Sequence, residues 1–321
     1  MTSKQLGWFG LGSMGLGMAL NLQKYLAANK LPPLHYSNRS KSKGQVLQDA
    51  GGIPKDDFGS LVQGCDIIFT MISNDTVLNT LLSQASTSNT SSSTSLNGKI
   101  FIDTSTVHPD TSFAAAERLK EQGATFISAP VFGASPVAAA GKLIFAIAGP
   151  ADAVTTVKPY ILDVMGRSII DMGVDVRRSS LLKICGNILV ISFMEILSET
   201  HVFAEKTGLG TTLLQEFISN MFGPVLESYS ERITSGAYAP PADKAPGFAA
   251  ALACKDMRHA LDIAETNGTS LPTVETALGR LEKARETAGE WIDSAAVYGT
   301  ARKEAGMGFW SEGRMWRPEC T

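Results

Sequence analysis

The chain has 321 residues, enough for about two domains at roughly 100–200 residues each. Its 28 Lys and Arg against 31 Asp and Glu leave a formal charge of −3, so no basic excess exists to track a phosphate backbone and nucleic acid is excluded as the expected partner. Hydrophobic residues at 44% and charged residues at 18% exclude wholesale disorder, and Cys65, Cys185, Cys254 and Cys320 lie too far apart for a zinc ribbon or a disulfide scaffold.

Met1-Thr2-Ser3-Lys4 leads directly into a first apolar run without a leader-like segment, which sets the expectation of a cytoplasmic protein. Short apolar runs then alternate with helix-like stretches: Gln5–Phe9, Leu34–Ser37, Asp66–Ile72, Lys99–Asp103, Thr125–Ser128, Leu143–Ala148 and Ser168–Met172. This alternation predicts an α/β domain over residues 1–173, a Rossmann-type doubly wound sheet built of β-α-β units. Ser83–Gly98 is Ser/Thr-rich and almost uncharged, and predicts a mobile surface insertion. From residue 174 to 321 the pattern is helical, which predicts an all-α C-terminal domain joined by a long interdomain helix, Arg177 to Lys206. Leu181 to Leu197 within it is apolar on nearly every face but contains Lys183, Asn187 and Glu195, so a helix buried in the core is expected and no membrane partner. Thr234–Gly247, with Pro240, Pro241 and Pro246, reads as a loop.

Gly10-Leu11-Gly12-Ser13-Met14-Gly15 follows the first strand and opens the first helix, Met14 to about Asn29. In a dinucleotide-binding turn, the first glycine allows the tight bend, the second lets backbone approach a pyrophosphate, and the third lets helix pack on strand. The second strand ends in Asn38-Arg39-Ser40, with Lys41 and Lys43 behind, where an NAD-binding unit carries an acid for the ribose hydroxyl. A basic residue there suits a 2′-phosphate, so NADP is expected over NAD; a solvated basic turn is the alternative. His35, His108, His201 and His259 show no ligand spacing, and no metal is expected.

GLGSMGLGMALNL (Gly10–Leu22) resembles the opening signature of the β-hydroxyacid dehydrogenases, a family that includes 3-hydroxyisobutyrate dehydrogenase and glyoxylate/succinic semialdehyde reductase and is related to 6-phosphogluconate dehydrogenase. Further motifs follow in the family's order. Met71-Ile72-Ser73 resembles the strand end that lies beside the adenosine. Asp103-Thr104-Ser105-Thr106 matches D-x-S-T, which implies that Ser105 and Thr106 lie near nicotinamide and substrate. Ala129-Pro130-Val131-Phe132-Gly133-Ala134 is similar to the family's substrate loop, with Phe132 where the family has Ser and Ala134 where it has Gly. That departure implies a larger or more apolar carbonyl compound.

Lys183-Ile184-Cys185-Gly186-Asn187 resembles the family's K-x-x-x-N. The i, i+4 spacing sets an ammonium and an amide one turn apart on one helix face, able to converge on one oxygen. The resemblance implies that Lys183 is the general acid/base, with Asn187 beside it. Phe248 and Lys255-Asp256 match a late F…K-D element, implying that Phe248 and Lys255 reach the cofactor; a surface charge pair is the alternative. The expected function is hydride transfer between NADP(H) and a small β-hydroxyacid or its carbonyl partner, in a homodimer. The alternatives are an imine or other carbonyl reductase, although imine reductases generally lack this lysine, and a non-catalytic NADPH-binding regulator.

Overall fold

The computed structural model describes residues 4–86, 95–241 and 245–311. They form two compact units, Met1–Lys183 and Ile184–Thr321.

The first unit holds a six-stranded parallel sheet: β1 (Leu6–Phe9), β2 (His35–Ser37), β3 (Ile53–Pro54), β4 (Ile67–Thr70), β5 (Ile100–Asp103) and β6 (Thr125–Ser128) in the order β3-β2-β1-β4-β5-β6. Ile67, Ile68 and Phe69 in the middle of β4 are all fully buried, because a parallel sheet has both faces covered and its strands carry unbroken apolar runs. The covering helices are α1 (Ser13–Ala28), α2 (Gln45–Asp49), α3 (Phe58–Gln63), α4 (Asp75–Ser86) and α5 (Pro109–Lys120). Asp57 and Ser60 start α3 with a reciprocal capping box, and Pro109 starts α5 behind His108. A smaller sheet follows, β7 (Val131–Phe132), β8 (Leu143–Ile147) and β9 (Gly166–Asp171), with α6 (Ser135–Ala139) and α7 (Ala151–Val157) between them. The doubly wound fold expected from the sequence is present. β3 and β7 were not: two residues each show no periodicity, and Pro54 is tolerated because β3 is an edge.

One expectation needs correction. Helix α4 runs through Ser83–Ser86, and Leu96 is buried against the core, so the Ser/Thr-rich stretch is not an insertion as a whole; residues 87–94 lie outside the described residues. The first compact unit reaches past residue 173 into the next helix, as far as Lys183. The reason lies in the first turns of α8 (Arg177–Thr207), where Ser179 donates to the Ser128 carbonyl at 3.2 Å and the Ser180 hydroxyl meets that of Ser112 at 2.8 Å.

The second unit comprises the rest of α8 with α9 (Thr211–Thr234), α10 (Ala250–Thr266), α11 (Pro272–Ala288) and α12 (Val297–Glu304). Helix α9 is broken at Gly223, φ 75°, ahead of Pro224, where a proline removes the intrahelical donor and only glycine takes the left-handed turn easily. The expected all-round burial of α8 is not found: only 39% of its most apolar window is buried, and Leu189, Ile196 and Phe203, seven residues apart, are exposed along one stripe. Tyr238 stacks on Trp310 at 5.8 Å, closing the unit's aromatic end. Trp316 lies outside the described residues.

Glu195, on α8, is buried and shares Arg280 with Glu199 and Glu304, while Lys283 holds Glu304 at 2.7 Å. Burial pushes the Glu195 carboxyl up to about 7 against the attraction of Arg280, and Glu199 and Glu304 add to the rise. Burial drives His201 the other way, to about 4. The stability that neutral Glu195 contributes is complete below its unfolded value of 4.5 and is lost as the pH rises through about 7. That of neutral His201 is present above 6.5 and lost as the pH falls through about 4. Glu195→Gln is therefore expected to remove an acid-to-neutral decline in stability, between about pH 4.5 and 7, on the order of 3 kcal/mol. Denaturant melts between about pH 5 and 8 check it; an unchanged slope would contradict the assignment.

Candidate functional site

All six strands of the large sheet run parallel, so their carboxyl ends share one edge, where open α/β sheets receive ligands. The strand order reverses between β1 and β4, and Gly10-Leu11-Gly12 leaves β1 at that point. Gly10 has φ 99°, and a Cβ there would stand 2.0 Å from the Met71 carbonyl oxygen at the end of β4. At Gly15 a Cβ would stand 2.1 Å from the Gly10 oxygen. These two glycines are required by the protein itself. Gly12 differs: a Cβ there meets nothing within 4 Å. The space over its backbone, with the uncapped N-terminus of α1 beside it, fits a pyrophosphate.

The other predicted cofactor residues divide by what their side chains already do. Leu11 is buried, and its N–H donates to Asn38 Oδ1 at 2.8 Å while Asn38 Nδ2 donates to the Ser40 carbonyl at 2.8 Å. Asn38 thus ties the glycine loop to the end of β2. Arg39 is exposed, as is Ser40, and Lys41 lies 3.5 Å from Asp56. Ser13 is exposed at the first turn of α1, and Met14 packs on the sheet core. Met71 and Ile72 are half-buried at the end of β4, with Ser73 exposed.

At the end of β5, Asp103 is buried and accepts from Thr70 and from Ser105, each at 2.7 Å. Ser105 Oγ also accepts from the Ile72 N–H at 2.8 Å. The Ser105 hydroxyl therefore joins the ends of β4 and β5, and Thr106, half-buried, follows it at the rim. Sequence reasoning did not give Asp103 this role, although the acid beside two hydroxyls in Asp103-Thr104-Ser105 was a signal for it.

Beyond β6, Phe132 lies in β7 opposite Ile144, and Gly133, φ 129°, turns the chain where a Cβ would press on Leu143 and Val137. Ala134 caps α6. The Ser179 and Ser180 contacts bring α8 onto this edge, and the Lys183 ammonium stands 4.7 Å from the centre of the Phe132 ring. In the second unit, Asn187 is buried and donates to Asp256 Oδ2 at 2.5 Å, while Lys255 Nζ lies 3.1 Å from Asp256 Oδ1. Asp256 was part of the F…K-D element in the sequence, but its bond to Asn187, 69 residues away, was not legible there. Phe248 packs on that unit's core and donates its N–H to Asp293 at 2.9 Å. Among the described residues no cluster of His, Cys, Asp and Glu could hold a metal ion.

The profile of the NAD-binding domain of 6-phosphogluconate dehydrogenase matches residues 5–173, and that of the NAD-binding of NADP-dependent 3-hydroxyisobutyrate dehydrogenase matches residues 178–301. The chain is 30% identical to the mitochondrial 3-hydroxyisobutyrate dehydrogenase of Drosophila melanogaster, over 84% of this chain and 81% of that one. It is 29% identical to an NADH-dependent oxidoreductase of Aspergillus ustus, over 92% and 98%. Among solved structures, the 3-hydroxyisobutyrate dehydrogenase of Mycobacterium tuberculosis shares the fold at a TM-score of 0.74 and 22% identity, covering 94% of this chain and 99% of that one.

The glycine geometry separates two substitutions. Gly12→Val, whose side chain enters open space, is expected to cost the fold about 1 kcal/mol or less yet abolish dinucleotide binding. Gly15→Ala is expected to lower the melting temperature as well, because its Cβ meets backbone. Calorimetric titration with NADPH and thermal melts check both; normal binding by Gly12→Val would remove the pyrophosphate from this loop.

Proposed function

The chain belongs to the β-hydroxyacid dehydrogenase family, and from that premise we propose that it transfers hydride between NADP(H) and a small β-hydroxyacid or its semialdehyde or keto partner, with Lys183 as proton donor and acceptor. It is an NAD(P)-dependent oxidoreductase acting on CH–OH. The observation that carries the proposal is the Lys183 ammonium at the carboxyl edge of the sheet, 4.7 Å from the Phe132 ring.

The bound reduced cofactor supplies hydride to the carbonyl carbon. Negative charge then develops on the carbonyl oxygen, and Lys183 Nζ–H stabilises it and passes a proton to it, leaving an alcohol and a neutral lysine that solvent reprotonates. In oxidation the neutral amine takes the hydroxyl proton. Asn187, four residues on in the same helix, is read as the second donor of this pair; its amide donates to Asp256. The backbone at Gly133 and Ala134, without bulky side chains, suits a substrate carboxylate, with Thr106 at the rim and the buried Ser105 bracing it. Phe132 in place of the family's Ser favours a more apolar carbonyl compound.

Arg39, exposed and in no ion pair among the described residues, supports preference for the 2′-phosphate. Phe248 and Lys255 are read as later cofactor contacts. The partner is a small molecule in the cytoplasm, with neither nucleic acid nor membrane. The exposed apolar stripe of α8, with Leu213, Phe217 and Met221 at four-residue intervals on α9, supports a homodimer covering both.

Absorbance of the reduced nicotinamide, followed with semialdehydes, glyoxylate, β-hydroxyacids and cyclic imines, tests the reaction class. Lys183→Ala is expected to lower kcat by about 100-fold to 10,000-fold with NADPH binding retained, and Arg39→Ala to weaken NADPH about tenfold or more without affecting NADH. Substantial turnover by the lysine variant would end the acid–base role. Light scattering is expected to give a dimer that Phe217→Glu dissociates; a monomeric wild type would refute the shared surface.

A further inference from the structure

Position 132 is where the loop departs from the family's usual serine, and there the lysine finds an aromatic face. Pairing of Val131 with Phe145 and of Phe132 with Ile144 fixes the backbone of β7. The left-handed turn at Gly133, closed in by Leu143 and Val137, fixes the chain on its other side. The ring is thus held on a short strand rather than on a free loop, and Lys183 Nζ lies over it at 4.7 Å from the centroid. A serine at this position would be too short to offer such a surface.

An aromatic ring presents negative potential from its face, which attracts an ammonium and does nothing comparable for a neutral amine. It differs from a carboxylate in that it cannot take the proton it stabilises. A lysine over a ring is therefore held more firmly in its charged form and still gives its proton to a stronger acceptor, such as an oxygen gaining charge as hydride arrives.

We propose that Phe132 is a positioning residue for the Lys183 ammonium, holding it in its proton-donating form and so biasing the enzyme toward carbonyl reduction. This rests on the reading of Lys183 as the acid–base group. The bonds balance as in the parent reaction: carbon gains hydride from the reduced nicotinamide, oxygen gains the Nζ proton, and lysine is left as the amine.

The test is the pH profile of kcat in the reducing direction, with the best carbonyl substrate of the panel and saturating NADPH. Phe132→Leu, which keeps apolar bulk and loses the ring face, is expected to move the alkaline limb down by about half a unit to one unit. Phe132→Trp is expected to keep it at or above the wild-type position. Phe132→Met serves as a second non-aromatic variant should the leucine protein melt early. Titration of 13C-labelled lysine in the NADPH complex, with Lys183→Arg to assign the resonance, reads the same shift without turnover. A limb and a resonance that do not move in the leucine or methionine proteins, while Lys183→Ala is inactive, would overturn the role of Phe132 alone. Turnover by Lys183→Ala with the wild-type profile would overturn the parent reading and this one together.

Discussion

The contact on which the site depends is a backbone against a backbone. At Gly10 the chain leaving β1 passes so close to the Met71 carbonyl that no side chain fits between them. That approach sets the ends of β1 and β4 side by side where the strand order reverses, and it leaves the backbone of Gly12 uncovered. Asn38 holds the loop from the other side. Asp103, through Thr70 and Ser105, fixes the ends of β4 and β5 by hydrogen bonds alone. A rim held in this way presents donors without having to be ordered by the ligand, which is what binding and charge stabilisation require.

The second requirement is a lysine delivered to that rim. The hydroxyls of Ser112 and Ser180 and the carbonyl of Ser128 fasten the start of α8 to the first unit. Helical spacing then carries Lys183 to Phe132. Small polar groups achieve this because they let helix and strand approach closely while satisfying each other's hydrogen bonds.

The sequence made the strands of the large sheet legible where short apolar runs recur between helices, and the glycine fingerprint legible through its spacing. It did not disclose β3 or β7, because two residues carry no period. Nor did it disclose that Asn38 is occupied in bracing the glycine loop or that Asp256 holds Asn187, since such pairs are brought together only by folding. The misjudged burial of α8 has a different cause. Hydropathy tells that Leu189, Ile196 and Phe203 avoid water, but it does not say whether their cover comes from the same chain.

Trp8, fully buried on β1, donates its indole N–H to the carbonyl of Gly10 at 2.9 Å and stacks on Phe69. The fold therefore carries an optical reporter wired to the first glycine of the fingerprint. Its emission senses the polarity and geometry of that carbonyl from inside the sheet, apart from the stacked indoles of Trp291 and Trp310 in the helical unit.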